Sequence, residues 1–108
     1  MTSDNRPWLS TYESLGYDWH TLPALPEKTL SNYVRDYAEQ FPDREALVFL
    51  GQAITYQQLD HLADRMAALF TAQGAKAGDV LGLQMPNTPQ YVVAFIAAAR
   101  LGMVSTSI

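Results

Sequence analysis

Apolar and polar positions alternate along the chain with periods that change abruptly, and the changes mark its elements. Leu30, Val34, Tyr37, Ala38 and Phe41 recur at steps of three and four, which predicts a helix from Leu30 to Phe41 with one apolar face. Thr29 suits its N-cap and Pro42 stops it. After the polar turn Asp43-Arg44-Glu45, Ala46 to Leu50 (ALVFL) is β-rich. Gly51-Gln52 suits a two-residue hairpin turn, and Ala53 to Thr55 returns as a short strand. Thr55 with Gln58 three residues on predicts a capping box. Leu59, Leu62, Ala63, Met66, Ala67 and Phe70 then form a continuous stripe, and Gly74 ends that helix.

The stretch Gly78 to Ile108 reads as strand, helix, strand. Val80 to Met85 (VLGLQM) is nearly all apolar, as a strand covered on both faces would be. Thr88 can cap the next helix, Pro89 to Leu101, with Pro89 at the first position where a missing N–H costs nothing. Tyr91 to Ala99 leaves no polar face, so this helix is expected to be buried on most sides. Gly102 ends it, and Met103 to Ile108 resumes as a strand that should pair parallel with the first. Residues 1–28 differ in kind. Pro7, Pro23 and Pro26 and the aromatic or aliphatic Trp8, Tyr12, Leu15, Tyr17, Trp19 and Leu22 follow no helical or strand period. They predict an irregular arm that docks through its rings on its own domain, on further chain or on a second subunit. The division is therefore arm 1–28 and α/β portion 29–108.

Composition narrows the function classes. With 48% hydrophobic and 17% charged residues, 108 residues suffice for one packed unit. A net charge of -4 without any Lys/Arg run argues against nucleic acid or an anionic membrane surface as the main partner. The absence of Cys removes disulfides, thiolate metal sites and Cys nucleophiles, and it fits the cytoplasm. MTSDNRPWLS has no apolar core of a signal peptide, and the apolar run Tyr91 to Ala99 is far below the roughly 20 residues that span a bilayer.

Five groups suggest chemistry, and each has a plainer reading. Gly74 to Asp79 (GAKAGD) has the glycines and lysine of a phosphate loop, but a helix leads in and a strand leads out, the reverse of a P-loop. Asp60, His61 and Asp64 lie within one helical turn. The neighbouring Leu59, Leu62 and Ala63 face the core, which predicts a solvated polar face in place of a metal site. His20 has no partner at catalytic spacing. Ser105, Thr106 and Ser107 have no assignable base, although Ser105 and Ser107 should share one side of a strand. Tyr33, Tyr37 and Phe41 are spaced as a ligand stripe or, more simply, as core. No catalytic, cofactor-binding or metal-binding residue is assigned.

The order of these features resembles a known family. YAEQFPDREALVF (Tyr37 to Phe49), GQAITYQQLD (Gly51 to Asp60), ADRMAALF (Ala63 to Phe70) and GAKAGDVLGLQMPNTPQYVVAFIAAARLGMV (Gly74 to Val104) are similar to the start of adenylate-forming, AMP-binding enzymes. The arm and PNTPQYVVAFIAAARLGMV are most similar to bacterial long-chain fatty-acid–CoA ligases (acyl-CoA synthetases). The resemblance implies the N-terminal part of that fold's large domain: helices packed on a partly parallel sheet, with one β-hairpin and a βαβ unit, incomplete as it stands. It implies a parent enzyme that uses ATP and Mg²⁺ to turn a carboxylic acid into an acyl-adenylate and then passes the acyl group to coenzyme A. The family's phosphate loop, its adenine- and ribose-binding residues and its C-terminal lysine have no matching positions here, so this segment is expected to be scaffold. Its expected partner is the rest of the large domain. The arm is open to a subunit contact, and the parent to a cytoplasmic location or peripheral attachment at the inner membrane. Two alternatives stand beside this: a stand-alone α/β interaction or dimerisation module, and a superfamily member acting on an amino acid or forming only the acyl-AMP.

Overall fold

The computed structural model describes residues 5–18, 20 and 23–108. Four helices and four strands follow in the order α1 (Leu9–Ser14), α2 (Leu30–Gln40), β1 (Glu45–Phe49), β2 (Gln52–Thr55), α3 (Tyr56–Ala72), β3 (Val80–Leu83), α4 (Pro89–Arg100) and β4 (Val104–Ser107). β1 and β2 form an antiparallel hairpin, and β3 and β4 pair parallel with Val80 opposite Val104 and Leu83 opposite Ser107. The mixed α/β architecture expected from the apolar periods is therefore present.

Local chemistry explains the element ends. Thr55 accepts a hydrogen bond from the Gln58 N–H while the Gln58 side chain accepts from the Thr55 N–H, the reciprocal box that starts α3. At the other end Gly74 takes φ +90°, and the Ala75 N–H returns to the Phe70 carbonyl, closing the last turn. Thr29 caps α2 through the Asn32 N–H. Thr88 stands at the N-cap of α4 but its hydroxyl makes no capping bond, contrary to expectation. The backbone donors there are few already, because Pro89 carries none.

The core lies between α3 and α4. Leu59 and Ala63 meet Val93 and Ile96, with Val34 of α2 and Leu47 and Ile54 of the hairpin packed around them. Ala63, Ala97 and Ala98 are fully buried, which lets backbones approach closely.

Several expectations need correction. The arm is not irregular throughout: Leu9–Ser14 forms a short helix anchored by the buried Leu9, with Ser10 and Ser14 hydroxyls bonded to backbone carbonyls at Pro7 and Thr11. Trp19 and Leu22, read as part of the arm's ring-bearing surface, lie outside the described residues. The hairpin turn is Leu50-Gly51, one residue earlier than expected, since Phe49 pairs with Gln52. Both turn residues have positive φ (49° and 78°), the type I′ arrangement whose twist matches the strands. On α2, Val34 and Ala38 turn inward while Leu30, Tyr37 and Phe41 stay exposed. The arc of an eleven-residue helix that faces the core is narrower than the run of apolar residues on it. β3 is not covered on both faces: Leu83 is buried but Val80 is 65% exposed, and across from it Val104 is 54% exposed. Likewise α4 buries Val93, Ala94, Ile96, Ala97 and Ala98 while Phe95 and Ala99 reach solvent. Helix α4 covers one face of this two-stranded sheet, so alternate residues on the other face remain open.

Candidate functional site

The most organised polar cluster joins the three long helices. Arg100, the last residue of α4, sends its guanidinium to α3: Nη2 donates to the Asp60 carboxylate, and Nη1 donates to the Asp60 carbonyl and to Asp64 Oδ1, each at 2.9 Å. From α2, Arg35 forks onto Asp64 with Nη2–Oδ1 at 2.8 Å and Nη1–Oδ2 at 3.2 Å, and its Nε lies 3.7 Å from Asp60 Oδ1. Two arginines thus neutralise two aspartates. Asp60 and Arg100 are largely buried; Arg35 and Asp64 are nearly half exposed at the rim. The Asp64 carboxyl is held below its ordinary range, chiefly by the hydrogen bond from Arg35, against the cost of burial and with help from the Arg100 charge. The Arg35 guanidinium is correspondingly raised by that same hydrogen bond. The four side chains therefore cross-link α2, α3 and α4 through charge-assisted hydrogen bonds.

The solvated-face reading is corrected for Asp60, which is buried, and holds for His61 and Asp64, which are exposed. His61 points away from the aspartates and lines a separate cleft with Gln52, Ile54, Gln58 and Arg65. Among the described residues no group of three His, Cys, Asp or Glu is gathered to hold a metal.

The remaining candidates resolve as follows. In GAKAGD most backbone donors are already used: the Lys76 N–H bonds Asp79 Oδ2 at 3.0 Å, the Asp79 N–H bonds the Lys76 carbonyl at 3.1 Å, and the Gly78 N–H bonds the Gly102 carbonyl at 2.9 Å. A phosphate cradle needs such N–H groups unspent. The His20 N–H bonds Asp18, and its ring lies 3.9 Å from Glu13. Ser107 shares a hydrogen bond with the Tyr91 hydroxyl of α4, which puts the Ser105 and Ser107 side of β4 toward the helix. Tyr33, Tyr37 and Phe41 are not core. They form a surface row, with Tyr33 and Tyr37 ring centroids 6.2 Å apart. Arg35 and Arg100 were missed from sequence. The available signal was Arg100 itself, a lone charge closing an apolar helix, which requires a partner if it is buried.

A second hollow, of about 350 Å³, opens between the hairpin and the start of α4, where Leu47, Val48 and Phe49 face Pro89, Tyr91 and Val92. Its walls are mostly apolar, with Asn87 and Thr88 completing the lining, and no charged group lines it.

The βαβ unit is thus locked through its helix to α2 and α3 by ion pairs, an arrangement of an α/β domain. Comparison with known proteins gives its family. The family model described as "AMP-binding enzyme" matches residues 34–108. A long-chain-fatty-acid–CoA ligase of Bacillus subtilis is 36% identical over 98 residues, covering 90% of this chain and 17% of the relative. A vibriobactin-specific 2,3-dihydroxybenzoate-AMP ligase of Vibrio cholerae is 35% identical over 103 residues, covering 95% and 18%. The solved structure of a Mycobacterium tuberculosis fatty acyl CoA synthetase superposes with a TM-score of 0.69 at 35% identity, over 72% of this chain and 16% of that one. This chain belongs to the AMP-binding, adenylate-forming enzyme family, and it spans less than a fifth of the length of these relatives.

Proposed function

We propose that this chain is the scaffold portion of an ATP-dependent fatty-acid–CoA ligase. The observation that carries the reading is the 36% identity, sustained over 98 residues, with a fatty-acid–CoA ligase. Such an enzyme joins a carboxylate to AMP with release of pyrophosphate and then transfers the acyl group to the thiol of coenzyme A. ATP, Mg²⁺ and coenzyme A are the co-reactants this implies for the whole enzyme. The residues of this chain do not fit them: the donors around Lys76 are spent in a turn, and the buried carboxylate is neutralised by arginine. No step of the reaction is therefore assigned to it.

The chain's own contribution is support. α4 packs on β4 with α2 and α3 behind it, and the open face carrying Val80 and Val104 suits a further layer of the large domain. Residues 1–28 suit a subunit contact, and a cytoplasmic enzyme, free or attached peripherally at a membrane, fits this use. No helix described is long and apolar enough to cross a bilayer.

A second reading, an aryl-acid adenylating enzyme, is favoured by the 35% identity that the dihydroxybenzoate-AMP ligase keeps over 95% of this chain. Pyrophosphate exchange decides. The whole enzyme carrying this sequence should exchange pyrophosphate into ATP when given palmitate and not when given 2,3-dihydroxybenzoate. Exchange with the aryl acid alone would replace the first reading by the second. Exchange by the 108-residue chain in isolation would overturn the scaffold role.

A further inference from the structure

The aromatic row on α2 borders a cleft, and the chain carries a segment of matching chemistry directly before that helix. Tyr37, Phe41, Arg44 and Tyr56 line about 320 Å³. Tyr56 stands edge-on to Tyr37 with centroids 5.6 Å apart, and the Arg44 guanidinium lies 4.6 Å over the Phe41 ring, extending the flat surface. Tyr37 and Phe41 are 39% and 41% exposed, so the rings are available.

The segment is Pro23-Ala24-Leu25-Pro26-Glu27, exposed along its whole length and outside any helix or strand. Prolines three apart fall on one edge of a polyproline II helix, which has three residues per turn. Aromatic-lined grooves take such edges because the proline rings are already ordered and lose little entropy on docking. The foot of the segment is fixed on α2: Lys28 pairs with Asp36 and sits 4.7 Å over the Tyr33 ring. Glu27 forms a bend, with the Lys28 N–H bonded to the Pro26 carbonyl at 2.9 Å. The reach also matches. From the N-cap Thr29 to Phe41 the helix rises about 18 Å at 1.5 Å per residue, and Pro23 to Thr29 spans about 19 Å at 3.1 Å per residue, so Pro23 reaches the far ring.

We propose that Pro23–Glu27 is a strap that closes on the Tyr37–Phe41–Arg44–Tyr56 cleft of its own chain, seating Pro23 and Pro26 against the rings; the structure shows it open. The short tether at Lys28 favours closure within one chain over capture of another, because a short linker gives a millimolar effective concentration. The inference holds whichever acid the whole enzyme takes.

The test is nuclear Overhauser spectroscopy on the 108-residue chain. Cross-peaks are expected between the ring protons of Pro23 or Pro26 and those of Tyr37 or Tyr56, unchanged on tenfold dilution. The pair Pro23→Ser and Pro26→Ser should abolish them and shift the Tyr37 ring resonances, with the far-ultraviolet circular dichroism unchanged. Adding a free PALPE peptide at millimolar concentration to that variant should move the Tyr37 resonances back. Absence of cross-peaks, with ring resonances identical in both proteins, would overturn the strap. Cross-peaks that vanish on dilution would overturn it in favour of a second copy as the source.

Discussion

Replacing Arg100 with Met removes the cation from the centre of the helix cross-link while keeping the stem. It deprives Asp60 of two hydrogen bonds, one to the carboxylate and one to the carbonyl, and Asp64 of one. Unit charges at about 4 Å attract by about 4 kcal/mol at an effective dielectric constant of 20, and desolvation takes back part of this. Leaving one member of a buried pair alone costs about 3–5 kcal/mol. Arg35 remains with its Nε 3.7 Å from the same Asp60 oxygen, so the lower end applies, about 3 kcal/mol. In a chain of this size that lowers the melting temperature by about 12–24 °C. It also takes a large share of the roughly 5–15 kcal/mol that domains possess. Urea unfolding followed by circular dichroism at 222 nm reads the loss. Because Arg100→Met stands near the edge of unfolding, the cycle includes Asp60→Leu and the double variant, whose apolar pair should recover most of the stability. A loss below about 1 kcal/mol for Arg100→Met, or strictly additive losses in the double variant, would show that the cross-link does not hold α4 to α3.

Three further outcomes follow from the geometry. Leu50 sits exposed at φ 49°, where a branched side chain is strained, so Leu50→Asn should stabilise by about 1 kcal/mol in thermal melting; no gain would refute the type I′ turn. Ala63→Leu overfills the α3–α4 contact and should cost about 1–3 kcal/mol, whereas Ala68→Leu on the exposed face should change stability by less than about 0.5 kcal/mol; equal effects would refute the packing. The Asp64 carboxyl is lowered in the folded chain, so its contribution is complete above its unfolded value of about 3.9 and is lost as pH falls through the folded value. The urea midpoint should therefore drop below about pH 4, and Asp64→Asn should flatten that limb; an equal acid slope in both proteins would exclude Asp64 as its cause.

What could be read beforehand was what local rules determine. The Thr55/Gln58 box and the stop at Gly74 each depend on a few neighbouring residues, the parallel pairing of β3 with β4 follows from a single crossover helix between them, and the structure has all three. Tertiary choices were less legible. The hairpin turn moved to Leu50-Gly51 because β1 pairing extends to Phe49, and a leucine at positive φ is not a turn signal. Tyr37 and Phe41 share the helical period of true core residues, yet no element packs over them closely enough to bury them. Asp60 looked solvated because its partner is Arg100, forty residues away, and periodicity carries no information about pairing at that separation. The family could be recognised from its ordered local wording, whereas relatives named for a fatty acid and for 2,3-dihydroxybenzoate match it almost equally, at 36% and 35% identity, so that wording does not choose among carboxylic acids.

That forty-residue separation also has a meaning in time. A ribosome adds about 5–20 residues per second, so Asp60 precedes its main partner by roughly 2–8 s during synthesis. Through that interval α2 and α3 can dock through Val34, the Tyr37–Tyr56 ring contact and the Arg35–Asp64 fork, with the Arg100 bonds still missing. The arrival of Arg100 then both covers the Asp60 carboxylate and fixes α4, so the nascent chain acquires a rigid helical layer in one late step.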